Sequence, residues 1–186
     1  AGLIALMMMI GSQAGAECGN LCDEEWWKTA TAADVQAEFD GGADVMARDK
    51  DGWTPLHSAA ASRGKPASIQ AFLAAGADVT ARSKHGTTPL HWAASRGTPA
   101  KINALLDAGA DVMARTDTGW TPLHSAALAG TVIFNAKPAN IQALLDAGAD
   151  AKAKNKEGKT PWDFAQENEN LKGTKVYWAL NDVQYN

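Results

Sequence analysis

GWTPLHSAA occupies residues 52–60 and returns letter for letter at residues 119–127, with GTTPLHWAA at residues 86–94 between them. Recurrence of this kind means that one local structure is built several times. Aligned on the TPLH words, the units start at Gly52, Gly86, Gly119 and Gly158, separated by 34, 33 and 39 residues. The uneven spacing has one source. From Pro66 to His91, from Pro99 to His124 and from Pro138 to Asp163 the distance is always 25 residues, whereas His57 to Pro66, His91 to Pro99 and His124 to Pro138 measure 9, 8 and 14. One segment of each unit is therefore structurally fixed, and one loop is free to grow.

The fixed segment reads as helices. Thr54, Thr88, Thr121 and Thr160 are N-caps, each followed by a proline at N1, where the missing N–H costs nothing. This first helix of each unit, helix A, continues in alanines small enough for neighbouring units to approach closely. A second helix, B, opens at Pro66, Pro99 and Pro138 and carries Ile69, Phe72 and Leu73, or Ile102, Leu105 and Leu106, at i, i+3 and i+4, one apolar stripe facing a core. Gly76, Gly109 and Gly148 supply the left-handed residue that ends it. Ten residues then run to the next unit glycine, short enough for a projecting turn.

Units of this kind bury their faces only against one another, so the ends must be closed. At the start, Thr31 caps a helix with Asp34 at N3. At the end, TPWDFAQENEN repeats helix A with Trp162 and Asp163 in place of Leu and His, and TKVYWALNDVQY closes the stack, with Asn181, Asp182 and Gln184 available for its outer face.

The first residues differ in kind. Residues 3–10 form an unbroken apolar run, followed by Ala14-Gly15-Ala16, the small-x-small pattern of a leader cleaved after Ala16. Eight residues are too few to span a bilayer as a helix. No basic segment precedes the run, so the sequence is expected to start inside the leader. Export would place Cys18 and Cys22 in an oxidising compartment, where a disulfide between them would staple the new N-terminus and little else. Two thiols without a neighbouring histidine make only half of a zinc site. The expected organisation is a leader at 1–16, a cysteine-containing segment at 17–23 and a repeat domain at 24–182. That domain comprises a cap (24–51), units 52–85, 86–118 and 119–157, and a closing cap (158–182).

The TPLHSAA, TPLHWAA and TPLHSAA words, three AGAD words with GGAD, and the final TPWDFA resemble the ankyrin-repeat proteins, and the resemblance runs from about residue 24 to the C-terminus. With the leader, the chain looks like an exported, bacterial-type member. The resemblance implies an all-α solenoid of helix-turn-helix units joined by β-turn fingers and closed by capping repeats. It also implies that the recurring His57, His91 and His124 hydrogen-bond within and between turns. Stacked helices stand roughly 8–10 Å apart, whereas ligands of one zinc lie within roughly 2.1 Å of it, so these histidines are not read as a metal site. Asp163 stands where no further unit follows.

Function follows from what is present and what is not. A formal charge of −4 over 186 residues argues against general nucleic-acid binding, which needs a basic domain. No phosphate loop, G-x-S-x-G or H-E-x-x-H occurs, and Glu38, Asp40, Asp107 and Asp146 read as a solvated outer face, so no enzyme, cofactor or metal is expected. The family binds proteins through finger tips and the exposed side of helix A. Carried over by position, the tips are Arg48, Lys50, Asp51 and Trp53; Arg82, Lys84, His85 and Thr87; Arg115, Asp117, Thr118 and Trp120; Lys154, Lys156, Glu157 and Lys159. On helix A they are Ala61 and Ser62, Ser95 and Arg96, and Leu128 and Ala129, with Trp92 bordering the same surface. Lys and Arg outnumber Asp and Glu among them, and Trp and Arg are frequent interface anchors, so the expected partner of a monomeric chain is a protein, acidic in character. His85 can equally be a solvated tip, and Trp53 and Trp120 can equally shield adjacent fingers. No membrane contact is expected once the leader is removed. The alternative is a structural or protective envelope protein without a specific partner. In the enlarged third loop, AGTVIFNAKP, Val132, Ile133 and Phe134 are expected to tuck onto neighbouring helices, with a partner contact as second choice.

Overall fold

The computed structural model describes residues 19–22, 26, 29–62, 65–128 and 137–185. The leader, Cys18, Ala129 and the Val132–Phe134 loop lie outside these residues, as does the side chain of Cys22. Among the described residues the chain is all helical. A 3-10 turn (Gly19–Cys22) precedes α1 (Ala32–Asp40), α2 (Pro55–Ala61), α3 (Ala67–Ala74), α4 (Pro89–Arg96), α5 (Pro99–Asp107), α6 (Pro122–Leu128), α7 (Pro138–Asp146), α8 (Pro161–Ala165) and α9 (Lys175–Tyr185). The helices form two layers. α2, α4, α6 and α8 stack as the A layer, and α1, α3, α5, α7 and α9 run alongside as the B layer.

Each start and stop has a chemical cause. Thr54, Thr88 and Thr160 hold extended backbone and cap their helices reciprocally with the N3 side chain. The α1 cap is a capping box between Thr31 and Asp34, as the spacing requires. At the other end of the B helices, Gly76 (φ 88°) bonds its N–H to Leu73 O while the Ala77 N–H reaches Phe72 O. That pair of bonds is the Schellman closure, which needs a left-handed residue and so a glycine. The same two bonds recur at Gly42, Gly109 and Gly148.

One start differs from expectation. Pro99 and Pro138 begin their helices, but Pro66 sits in the N-cap and α3 begins at Ala67. The Ile69 N–H bonds to Pro66 O rather than one residue further back, so the first turn is wound tighter than an α-turn.

The core lies between the layers. Leu56, Leu90 and Leu123 of the A layer and Ile69, Phe72, Ile102, Leu105, Ile141 and Leu144 of the B layer are fully buried. Burial of each such side chain contributes about 2 kcal/mol. Alanines at 59, 60, 93, 94, 126 and 127 floor the A–A contacts. At the N-terminal end Phe39 of α1 meets Phe72 edge to face, centroids 5.2 Å apart. At the other end Trp162 packs on Tyr177 of α9 at 4.7 Å, and Leu180 closes beneath them. Of the polar residues assigned to the outer face, Asp182 is exposed and Asn181 half-buried.

Candidate functional site: the finger rail and the helix A face

Four fingers, residues 44–53, 78–87, 111–120 and 150–159, project from the stack. Each closes by a main-chain bond around its glycine: Asp49 N–H to Trp53 O, Ser83 N–H to Thr87 O, Thr116 N–H to Trp120 O and Asn155 N–H to Lys159 O. One side-chain oxygen then gathers the turn. Asp49 Oδ1 accepts from the N–H groups of Asp51 and Trp53 at 2.8 and 2.9 Å, and Asn155 Oδ1 from those of Glu157 and Lys159, both at 2.9 Å. Ser83 Oγ and Thr116 Oγ1 stand in the same place. Four different residues share one property, a short-tethered oxygen acceptor.

The fingers are bonded to one another. Lys84 N–H donates to Asp51 O, Asp117 N–H to His85 O and Lys156 N–H to Thr118 O, at 2.9, 3.0 and 3.0 Å. Below the tips, Arg48 donates to Arg82 O, Arg82 to Arg115 O and Arg115 to Lys154 O. Three of the cations assigned to recognition therefore direct guanidinium N–H groups to the next finger, while remaining exposed. Lys50, Asp51, Lys84, His85, Asp117, Lys154 and Lys156 are exposed along the same rail.

The histidines join the two layers of order. In α2 the Thr54 N–H donates to His57 Nδ1 at 3.1 Å, so that nitrogen carries the lone pair. Nε2 then carries the proton, and it donates to Thr87 O of the next finger at 3.0 Å. His91 repeats this toward Trp120 O and His124 toward Lys159 O. Both nitrogens of each ring are spent, which leaves no lone pair for a metal. Asp163 keeps the cap, accepting from the Thr160 N–H at 2.6 Å. Burial holds all three imidazoles below the usual range, His91 at about 4.

The tryptophans do not stand free. Trp53 and Trp120 are half-buried, one against Trp92 and the other against Phe164, with centroids 4.4 and 4.6 Å apart. Arg96 lies over the Trp92 ring at 4.9 Å. Ser62, placed by position on the exposed side of helix A, is buried instead, because Lys101 reaches across to it. The ammonium of this fully buried lysine donates to Ala59 O, Ser62 O and Ser62 Oγ at 2.6, 2.9 and 2.9 Å. Three donors meet three acceptors, and the carbonyls are those that the end of α2 leaves unpaired. Burial, and secondarily Lys137, push the Lys101 pKa down to about 8. Asn140 serves the end of α4 in the same way, through Ala94 O at 3.0 Å, and Asn168 the end of α6, through Ala127 O at 2.9 Å. None of these three was singled out by sequence.

Among the described residues no three His, Cys, Asp or Glu side chains are grouped to hold a metal, and no helix is long and apolar enough to cross a membrane. Residues 31–116 match the family model "Ankyrin repeats (3 copies)", and residues 118–156 match "Ankyrin repeat". No curated protein matches the chain.

Proposed function

The chain belongs to the ankyrin-repeat family, whose repeats are generally protein–protein interaction modules, and from that premise we propose that it binds a protein along its finger tips and the adjoining side of helix A. The observation that carries this reading is the bonding of tip to tip. Because Lys84, Asp117 and Lys156 are tied to the preceding finger through the main chain, the exposed side chains stand on a frame already ordered before a partner arrives. Little conformational entropy is then lost on association. The half-buried Trp92, with Arg96 laid over it, borders the rail and supplies an amphipathic floor.

In this reading the chain is a monomeric, non-catalytic member, and its partner is acidic, since Lys and Arg outnumber Asp and Glu among the tips. Its bacterial type and its export to the periplasm or beyond belong to the same reading, supported by the apolar run at residues 3–10 and the Ala14-Gly15-Ala16 site. Mass measurement of the secreted protein should find Glu17 at its N-terminus.

Photo-crosslinking side chains placed at His85 and Thr118, both exposed tips, should capture a partner from an envelope extract. The same groups at Gln70 and Asn103, exposed on the B helices, should not. Equal capture from the two faces, or none from either, rules the surface out.

A further inference from the structure

The three junctions between fingers share one main-chain register, so their side chains can be compared within a single chain. At each junction an arginine of one finger donates to a carbonyl of the next, and a residue of that next finger donates its N–H back. The pairs brought together in this way are Arg48 with Lys84, Arg82 with Asp117 and Arg115 with Lys156. The central pair is an ion pair, Arg82 Nη2 to Asp117 Oδ1 at 3.8 Å, with both side chains exposed. At the two flanking junctions a lysine has the place of that carboxylate, and among the described residues no carboxylate pairs with Arg48, Lys84, Arg115 or Lys156. Arg48 and Arg115 direct Nη1 to carbonyls, while Nη2 of each has no hydrogen-bond partner among the described residues.

A second, independent feature sorts the junctions in the same way. Trp53 meets Trp92 at the first and Trp120 meets Phe164 at the third, whereas the central one has Thr87 and Ser125 in these places. The first and third junctions are therefore a matched pair, each with two exposed cations beside a half-buried indole. The central one is a neutral spacer of small side chains. Stacked helices stand roughly 8–10 Å apart, so two units separate the matched pair by roughly 16–20 Å. Two cations set side by side repel one another and favour any carboxylate that enters between them. The central junction displays that arrangement already, with Asp117 beside Arg82. Asp51 lies on the rim of the first junction where Thr118 lies on the rim of the third, which makes the first the weaker of the two.

We infer that the rail carries two equivalent carboxylate stations, Arg48 with Lys84 and Arg115 with Lys156, and that its partner is a protein segment presenting two clusters of acidic side chains spaced to fill both. In each station a carboxylate of the partner stands where Asp117 stands beside Arg82, accepting from the arginine Nη2 and from the lysine ammonium. Occupation of one station holds the second cluster at high effective concentration near the other, so affinity comes from the pair. Asp117 repels a cluster that strays to the central junction, which fixes the register of the segment. The inference rests on the reading of the chain as a protein-binding module and specifies what that surface takes.

The probes are two fluorescein-labelled peptides, titrated by anisotropy against the full chain at low ionic strength. One has a single Glu-Glu-Glu cluster; the other has two, joined by about ten alternating Gly and Ser residues with a root-mean-square span of roughly 16–19 Å. The double-cluster peptide should bind about tenfold more tightly than the single one, or better. Lys84→Glu or Lys156→Glu alone should bring it to within about threefold of the single-cluster peptide, and glutamine at either place should give a smaller loss of the same kind. Circular dichroism and urea midpoints should stay unchanged, because these side chains are exposed. The same charge change at Lys65 or Lys175, exposed but away from the junctions, should leave affinity within about twofold. Asp117→Lys makes a third station and should strengthen binding of the single-cluster peptide by about twofold. Four results overturn the inference: no binding of either peptide, equal affinity for the two, equal loss from Lys65→Glu or Lys175→Glu, or equal affinity for an oligothymidylate with the charge of the double-cluster peptide. Each can occur while His85 and Thr118 still crosslink a protein, so failure here is distinct from failure of the reading it rests on.

Discussion

The indole of Trp53 lies against the indole of Trp92, centroids 4.4 Å apart, and ties the first full unit to the second. Trp120 does the same to Phe164 at 4.6 Å. Trp92 and Phe164 occupy one position, directly after the histidine or its aspartate replacement, where the other units have Ser58 and Ser125. The identical words at 52–60 and 119–127 are thus identical partly because each faces an aromatic ring in the unit that follows. The junction between them has Thr87 and Ser125 in the paired places and an exposed ion pair instead, Arg82 to Asp117 at 3.8 Å.

Trp53→Ala is expected to destabilise the chain by about 2 kcal/mol, through lost area and the lost ring pair. A double-mutant cycle with Trp92→Ala should return a coupling of about 1 kcal/mol, and one with Phe164→Ala nearly none. Urea midpoints measure both. Equal couplings would mean that the effect is not carried by the ring contact.

Acid should weaken the fold through its buried histidines. His91 ionises at about 4 in the folded chain, against 6.5 for an ordinary imidazole. Between those values the unfolded chain takes up a proton that the folded chain refuses, because burial strips the charged ring of water, with the Arg82 cation adding to the effect. The unfolded state binds more protons, so stability is fully present above 6.5 and falls as pH drops toward 4, by on the order of 3 kcal/mol for this group. His57 and His124 shift in the same direction. Unfolding free energies at pH 7 and pH 4.5 should therefore converge in His91→Gln relative to the parent chain; parallel pH profiles would refute the assignment.

Lys101→Met takes the ammonium donor from Ala59 O, Ser62 O and Ser62 Oγ in a buried site and is expected to cost about 3 kcal/mol. Lys101→Asn, which copies Asn140 at the same offset from its proline, should recover part of that loss. A lysine that were merely solvated would change stability by about 0.5 kcal/mol or less in either variant.

Gly97→Ala should be among the costliest single-methyl changes. A Cβ at Gly97 would stand 2.7 Å from Ala93 O and 3.1 Å from Ala60 O, main-chain atoms of two different helices. Neither can move without parting α2 from α4, so a loss of about 2–3 kcal/mol is expected in thermal or urea unfolding. Asn103→Ala, on an exposed helix position, should be neutral or slightly favourable.

What could be read in advance, and what could not, divides on sequence distance. Prolines, threonine caps and helix-ending glycines act within a few residues, so their offsets alone located nearly every helix; Pro66 differs by one position because its first turn is tight. The histidine bonds came from the family resemblance and stand in the structure as implied. Lys101, Asn140 and Asn168 remained hidden because each answers a helix end some 40 residues earlier, and no local pattern announces a lysine among carbonyls. For the same reason Ser62 was read as surface. Trp53 and Trp120 carry two compatible signals, anchor and shield, and only the position of Trp92 and Phe164 shows how much of each ring is already occupied.

Asp49, Ser83, Thr116 and Asn155 perform one task with four identities, and Lys84, Asp117 and Lys156 are bonded to the preceding finger through their peptide groups. Part of the geometry is therefore stored in peptide groups that substitution leaves in place, while the letters displayed outward stay open to drift. A lineage built this way can change what it grips by altering codons at the crest, without renegotiating its architecture.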